Sequence, residues 1–192
     1  TFDSEALYEA VKGDKADILI VSSPNNPTGC ILSMVELERI LESTEALVVL
    51  DEAYHEFSGG TALPFLKDYS NLIILRTFSK AFALAGLRVG YSIAHPELSR
   101  EIAKAKLPYN INFFSLVAAI KVLENREILT ENVRYLVSQR EMVFRELSQM
   151  DGVKAYPSQA NFILFETKYE PKHVFGKLLE KGVLVRDVSS YP

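Results

Sequence analysis

Three short runs of uninterrupted apolar residues constrain this chain more than any other feature. They are residues 18–21 (Ile-Leu-Ile-Val), 46–50 (Ala-Leu-Val-Val-Leu) and 72–75 (Leu-Ile-Ile-Leu). Each is too short for a helix and lacks the polar alternation of a half-solvated strand. Helical patterns lie before and between them. Asp3 or Ser4 can cap a helix reaching Val11, with Gly13 as its stop. Ser33 and Glu36 fit a capping box that opens a helix to about Leu41. Fully apolar strands alternating with helices predict an α/β fold, part of a mostly parallel sheet with helices on both faces. Residues 88–94 add a fourth strand.

The pattern changes after about residue 96. Helices are expected over 97–106, 113–123 and 128–150. The last carries Leu129, Val133, Leu136, Val137, Val143, Phe144 and Leu147 on one stripe and ends before Gly152. A strand at 161–165, a helix at 171–181 and a strand at 183–186 follow. The expected division is a large-domain part over 1–110, bridging helices over 111–150 and part of a smaller α+β domain over 151–192.

Composition removes several classes of function. The 192 residues carry a net charge of −4, and 48% are hydrophobic. Such a chain folds, and without a basic cluster it is expected to bind neither nucleic acid nor a membrane surface. One cysteine, Cys30, excludes an internal disulfide framework and a cysteine-rich zinc site, and no metal site is expected. No apolar run reaches the ~18 residues of a membrane span. The chain opens on Thr1, Phe2 and Asp3 with no basic leader, and the expected compartment is the cytoplasm.

Open parallel sheets bind ligands beyond the carboxyl ends of their strands. After the first run comes Asn26, in an Asn-Pro-Thr-Gly turn; the second ends in Asp51, Glu52, Ala53 and Tyr54; the third leads into Thr77, Phe78, Ser79 and Lys80, then Arg88. An amide, a carboxylate and a lysine thus reach one rim of one sheet. Each has a plainer reading. Asn-Pro-Thr-Gly is good turn chemistry by itself, Asp51 can cap the next short helix, and Lys80 can be a solvated lysine.

Together the residues suit pyridoxal phosphate, which a lysine carries as an imine while an acidic partner keeps its ring nitrogen protonated. Asp51 favours that protonation by Coulomb attraction. Asn26 and Tyr54 can hydrogen-bond the ring's 3′ oxygen. Lys80, once displaced by substrate, can move a proton at the substrate Cα. Thr77 and Ser79 offer hydroxyls to a phosphate, and Arg88 offers a bidentate guanidinium. His55 reads as a surface histidine, His95 and His173 as helix-flanking residues, and Cys30 as a packed small residue.

The segments Asn-Asn-Pro-Thr-Gly, Asp-Glu-Ala-Tyr-His-Glu-Phe and Thr-Phe-Ser-Lys-Ala-Phe-Ala-Leu-Ala-Gly-Leu-Arg-Val-Gly-Tyr resemble those of fold-type I aminotransferases. Order and spacing also match, with 25 residues from Asn26 to Asp51 and 29 from Asp51 to Lys80. Within that superfamily the Lys80 segment, Pro108-Tyr109-Asn110 and residues 182–187 are most similar to histidinol-phosphate aminotransferases, and the resemblance runs along the whole chain. It implies that Lys80 carries the cofactor and Asp51 faces the pyridine nitrogen. It places Tyr54 and Asn26 at the 3′ oxygen, and Ser79 and Arg88 at the cofactor phosphate. It sets Arg186 against the phosphate of histidinol phosphate, although Arg186 can equally be an ordinary strand-end arginine. Asn161 is a candidate for lining the substrate pocket, or for a strand-entry role.

The resemblance further implies a homodimer. Its expected reaction passes the amino group of L-histidinol phosphate to 2-oxoglutarate, giving imidazole acetol phosphate and L-glutamate. Proteins of that family are nearly twice as long, so the expectation is a central and C-terminal fragment, inactive in isolation because both ends of the site are absent. Rival readings are another fold-type I aminotransferase, a phosphothreonine decarboxylase, a non-catalytic aminotransferase-like regulator module, or a structural remnant.

Overall fold

The computed structural model describes residues 3–12, 16–109 and 111–191. Gly13, the expected first helix stop, and Asn110 of the Pro-Tyr-Asn stretch lie outside them. Helix α1 (Ser4–Val11) is capped by Asp3, whose Oδ1 accepts from the Ala6 amide at 2.9 Å. Helix α2 (Met34–Glu42) starts with the expected capping box: Ser33 and Glu36 each accept from the other's amide, at 3.2 and 2.9 Å.

Strands β1 (Ile18–Ser22), β2 (Leu47–Asp51) and β3 (Leu72–Thr77) pair in parallel, in that order. Between β2 and β3 lie the one-turn helix α3 (His55–Ser58) and a 3-10 turn at Leu63–Lys67. The α/β class with a mostly parallel sheet is the observed one. The fourth strand, β4 (Gly90–Ala94), begins two residues later than expected and runs antiparallel to β3. Its connection holds only the 3-10 turn Ala85–Leu87. A parallel return is usually made through a crossover helix, and residues 78–89 form none, so the chain doubles back instead.

One sheet face packs Val21, Val48, Leu50, Leu72 and Ile74 against Val11 of α1 and Leu37, Ile40 and Leu41 of α2. Each such side chain contributes about 1.5–3 kcal/mol when fully buried. The register sets Ile20, Val49 and Ile73 on the opposite face, with Asp51 level with Leu75 further along. Cover over this second face is incomplete at β1, where Ile18 and Ile20 are 55% and 71% exposed.

Helices α4 (Pro96–Lys104), α5 (Phe113–Glu124) and α6 (Arg126–Gln149) follow. His95 caps α4, whereas His173 lies inside the first turn of α7 (Pro171–Glu180) rather than beside the helix. On α6 the expected stripe divides. Leu129, Val133 and Val137 pack under Tyr54 and Phe57, but Leu136 and Val143 are exposed.

Two expected strands are corrected. Residues 161–164 do not form a strand; of the expected 161–165 only Phe165 does, opening β6 (Phe165–Thr167), antiparallel to β5 (Val153–Ala155). The backbone before it is engaged elsewhere, for the Gln159 amide donates to Gly29 O and Ala160 O accepts from Arg140. Residues 183–186 join no ladder among the described residues. Gly182, at φ +79°, closes α7, and the Val183 amide donates back to Leu178 O.

Candidate active site

The carboxyl ends of β1, β2 and β3 converge on Tyr54. Asp51 closes β2, and its Oδ1 accepts from the Ala53 amide at 2.9 Å, turning the chain into α3. That turn buries Tyr54, whose phenol oxygen accepts from Asn26 Nδ2 at 2.9 Å. Lys80 Nζ stands 5.0 Å from the centre of the Tyr54 ring, and Phe162 meets the ring edge-on at 5.3 Å. Asn26, Tyr54 and Lys80, each following a different strand, thus meet at one point.

The loop presenting Asn26 is shaped by Gly29 at φ +71°, with Gly29 N donating to Asn25 O and Asn25 N to Cys30 O. Next to Lys80, Thr77 and Ser79 form a hydroxyl pair at 2.9 Å, and the Ser79 amide donates to Thr77 Oγ1. By register Thr77 shares the Asp51 face of the sheet.

Three expected site residues stand further out. Arg88 is exposed at φ +54° and donates to Ala85 O at 3.1 Å. Asn161 is exposed beside Phe162. Arg186 donates to the Tyr191 phenol and lines a cavity of about 480 Å³ that also includes Pro27 and Thr28, the neighbours of Asn26.

Charged residues under the rim escaped the sequence reading. His55 is not a surface histidine. Its side chain is 16% exposed, with Nδ1 3.0 Å from Glu52 O and 3.3 Å from Glu56 Oε2. Burial, then the nearby Arg76 charge, lowers its pKa. Burial pushes the Glu56 carboxyl up to about 7. Glu52 is fully buried and paired with Arg76 at 2.8 Å. The available signal was five titratable side chains within residues 51–56, at the end of an apolar strand. Among the described residues no His, Cys, Asp and Glu group is arranged to hold a metal ion, and no helix is long and apolar enough to cross a membrane.

A parallel sheet presenting these groups at its carboxyl rim defines a class, and the whole chain, residues 1–192, matches the family Aminotransferase class I and II. The chain belongs to that family. Histidinol-phosphate aminotransferase from Ruminiclostridium cellulolyticum is 43% identical over 193 residues, covering 100% of this chain and 54% of the relative. The chain therefore spans about half the length of the curated relatives it matches. Histidinol-phosphate aminotransferase from Sinorhizobium meliloti, solved in complex with pyridoxal-5'-phosphate, aligns with a TM-score of 0.86 and 28% identity, over 97% of this chain and 54% of that one. L-threonine-O-3-phosphate decarboxylase from Porphyromonas gingivalis aligns with a TM-score of 0.87 and 26% identity, over 99% and 60%.

Proposed function

We propose that this chain carries the cofactor-anchoring half of a pyridoxal-phosphate-dependent aminotransferase that takes L-histidinol phosphate and 2-oxoglutarate. The observation that carries the proposal is the meeting of Asn26, Tyr54 and Lys80 at one rim. The donor chemistry fits the group: an amine, a carboxylate at a strand end, an amide–phenol pair and a hydroxyl pair, all beside an incompletely covered sheet face. Pyridoxal phosphate, when bound, supplies a ring that withdraws electrons from the substrate Cα.

The chain's own residues have distinct tasks. Lys80 Nζ holds the cofactor and then moves a proton at the substrate Cα. The Asp51 carboxylate holds a proton on the ring nitrogen by charge attraction. Tyr54 and Asn26, already hydrogen-bonded, orient the ring through its phenolic oxygen. Ser79, Thr77 and Arg88 bind the cofactor phosphate, Arg88 after turning from Ala85 O. Arg186 binds the substrate phosphate, and Asn161, exposed beside Phe162, faces the substrate. The organisation we propose is a large-domain part over 1–110, bridging helices over 111–150 and part of a small domain over 151–192, in a cytoplasmic homodimer.

The test is substrate selection. A full-length enzyme containing this chain should form glutamate from L-histidinol phosphate and 2-oxoglutarate, with Lys80→Ala inactive and Arg186→Ala raising KM for the phosphorylated donor, whereas the 192-residue chain alone should not turn over. The likeness to the P. gingivalis decarboxylase supports a second reading. Release of carbon dioxide from O-phospho-L-threonine, without glutamate formation, would favour it.

A further inference from the structure

Behind the rim, on the other side of the same strand ends, lies a buried ionic network. Glu52 is 1% exposed. Its Oε2 accepts from Arg76 Nε at 3.0 Å, Arg76 Nη2 at 2.8 Å and Thr61 Oγ1 at 2.9 Å, while Oε1 accepts from the Ala62 amide at 2.6 Å. Arg76 Nη2 also donates to Thr61 Oγ1 at 2.6 Å. The Glu52 amide extends the β2–β3 ladder by donating to Leu75 O.

Successive side chains leave a strand on opposite faces. Glu52 therefore points away from the side that Asp51 serves, and Arg76 away from the side that Thr77 serves. Neither is placed to touch a ligand held by Lys80. Both are covalently next to residues that are: Asp51 precedes Glu52 and Tyr54 lies two residues beyond it, while Thr77 follows Arg76 and Lys80 lies four beyond.

We propose that Glu52 and Arg76 are positioning residues for the cofactor site. They fix the ends of β2 and β3 so that Asp51 and Tyr54 on one strand face Thr77, Ser79 and Lys80 on the other at constant spacing. The inference rests on the pyridoxal-phosphate reading above.

Stability alone gives little reason for this pair. Taking two charges out of water offsets much of their attraction, and apolar replacements of similar volume are often as stable. The two strands are already joined by a parallel ladder from Val48 to Asp51 and by the core beneath it. What the network adds is direction. Five hydrogen bonds fix residues 52, 61, 62 and 76 relative to one another. A site must hold its groups to within about 0.5 Å, and supporting hydrogen bonds provide that precision.

Two variants test this: the double variant Glu52→Leu/Arg76→Met, which removes both charges at similar volume, and Glu52→Gln. The readouts are the melting midpoint without cofactor, the dissociation constant for pyridoxal phosphate by absorbance titration, and the pH midpoint of the bound cofactor's visible band. The double variant should fold cooperatively, with a lowered melting midpoint because the buried Ala62 amide loses its acceptor. It should bind pyridoxal phosphate about tenfold or more weakly, the scale expected of a misplaced support, with a shifted spectral midpoint. Glu52→Gln should change both cofactor readouts in the same direction by less. A folded double variant with wild-type affinity and midpoint overturns the proposal. If the double variant does not fold, unchanged affinity and midpoint in Glu52→Gln overturn it equally. Wild-type protein that gives no band at all overturns the cofactor reading itself, which a change confined to the variants does not.

Discussion

Gly29 shows how narrowly single residues are set around the site. A Cβ there would lie 2.3 Å from Ser158 Oγ and 3.0 Å from Ser158 Cα, at φ +71°. Gly29→Ala must displace the 158–162 segment that brings Phe162 to Tyr54, at an expected loss of about 2–3 kcal/mol in urea unfolding. Gly59→Ala is the control: at φ +73° with nothing within 4 Å, it should cost only about 1 kcal/mol. Equal losses would show that the Ser158 contact is immaterial. Glu56 makes a second prediction. Its Oε2 is buried without a hydrogen-bond partner, and its pKa stands at about 7 against 4.5 in the unfolded chain. Between those values the folded state keeps the proton and the unfolded state releases it, so stability falls as pH rises through this window. Neighbouring His55, with a lowered pKa, works the other way below its unfolded value of 6.5. Glu56→Gln should therefore gain melting temperature relative to wild type between pH 5 and 7.5; a constant difference rules the effect out. Asn26, Tyr54 and Lys80 were legible in sequence because each follows an apolar strand. The burial of His55 was not, because it depends on Glu52, Glu56 and Arg76 folding around it.

Among the elements, α2 follows most directly from its sequence, since Ser33 and Glu36 are local and their bonds need no tertiary context. Ser33→Ala should cost about 1 kcal/mol by chemical denaturation, and a neutral result would mean that packing alone sets the helix start. On α6 the apolar pattern was only partly informative. Leu129, Val133, Val137, Phe144 and Leu147 are at least half-buried, but the same stripe includes buried Arg140, whose Nη1 donates to Ala160 O at 2.8 Å. Arg140→Met would leave a buried carbonyl unpaired, at about 1–3 kcal/mol. Strand direction was beyond sequence patterning at β4. Residues 88–94 announce a strand, but its antiparallel direction follows from a connection, residues 78–89, that forms no crossover helix. The strand expected at 183–186 failed for a related reason: Gly182 ties Val183 to the end of α7.

Among the described residues, apolar surface remains uncovered in several places, and two of them bear on association. One is the sheet face at Ile18 and Ile20; the other is α5, where Phe113 and Phe114 are 70% and 77% exposed. Exposed patches of this kind drive association. The 192-residue chain should sediment as a concentration-dependent mixture, and Ile20→Lys should lower the associated fraction without lowering the melting midpoint. A strictly monomeric wild type contradicts that. The family relation and the rim geometry together concentrate the chemistry on one amine, and covalent trapping interrogates it most directly. After mixing with pyridoxal phosphate and reducing with borohydride, peptide mass mapping should find a pyridoxyl group on Lys80, about one per chain. Label spread evenly over exposed lysines such as Lys104 and Lys121, with Lys80 no more modified than they are, would contradict the assignment.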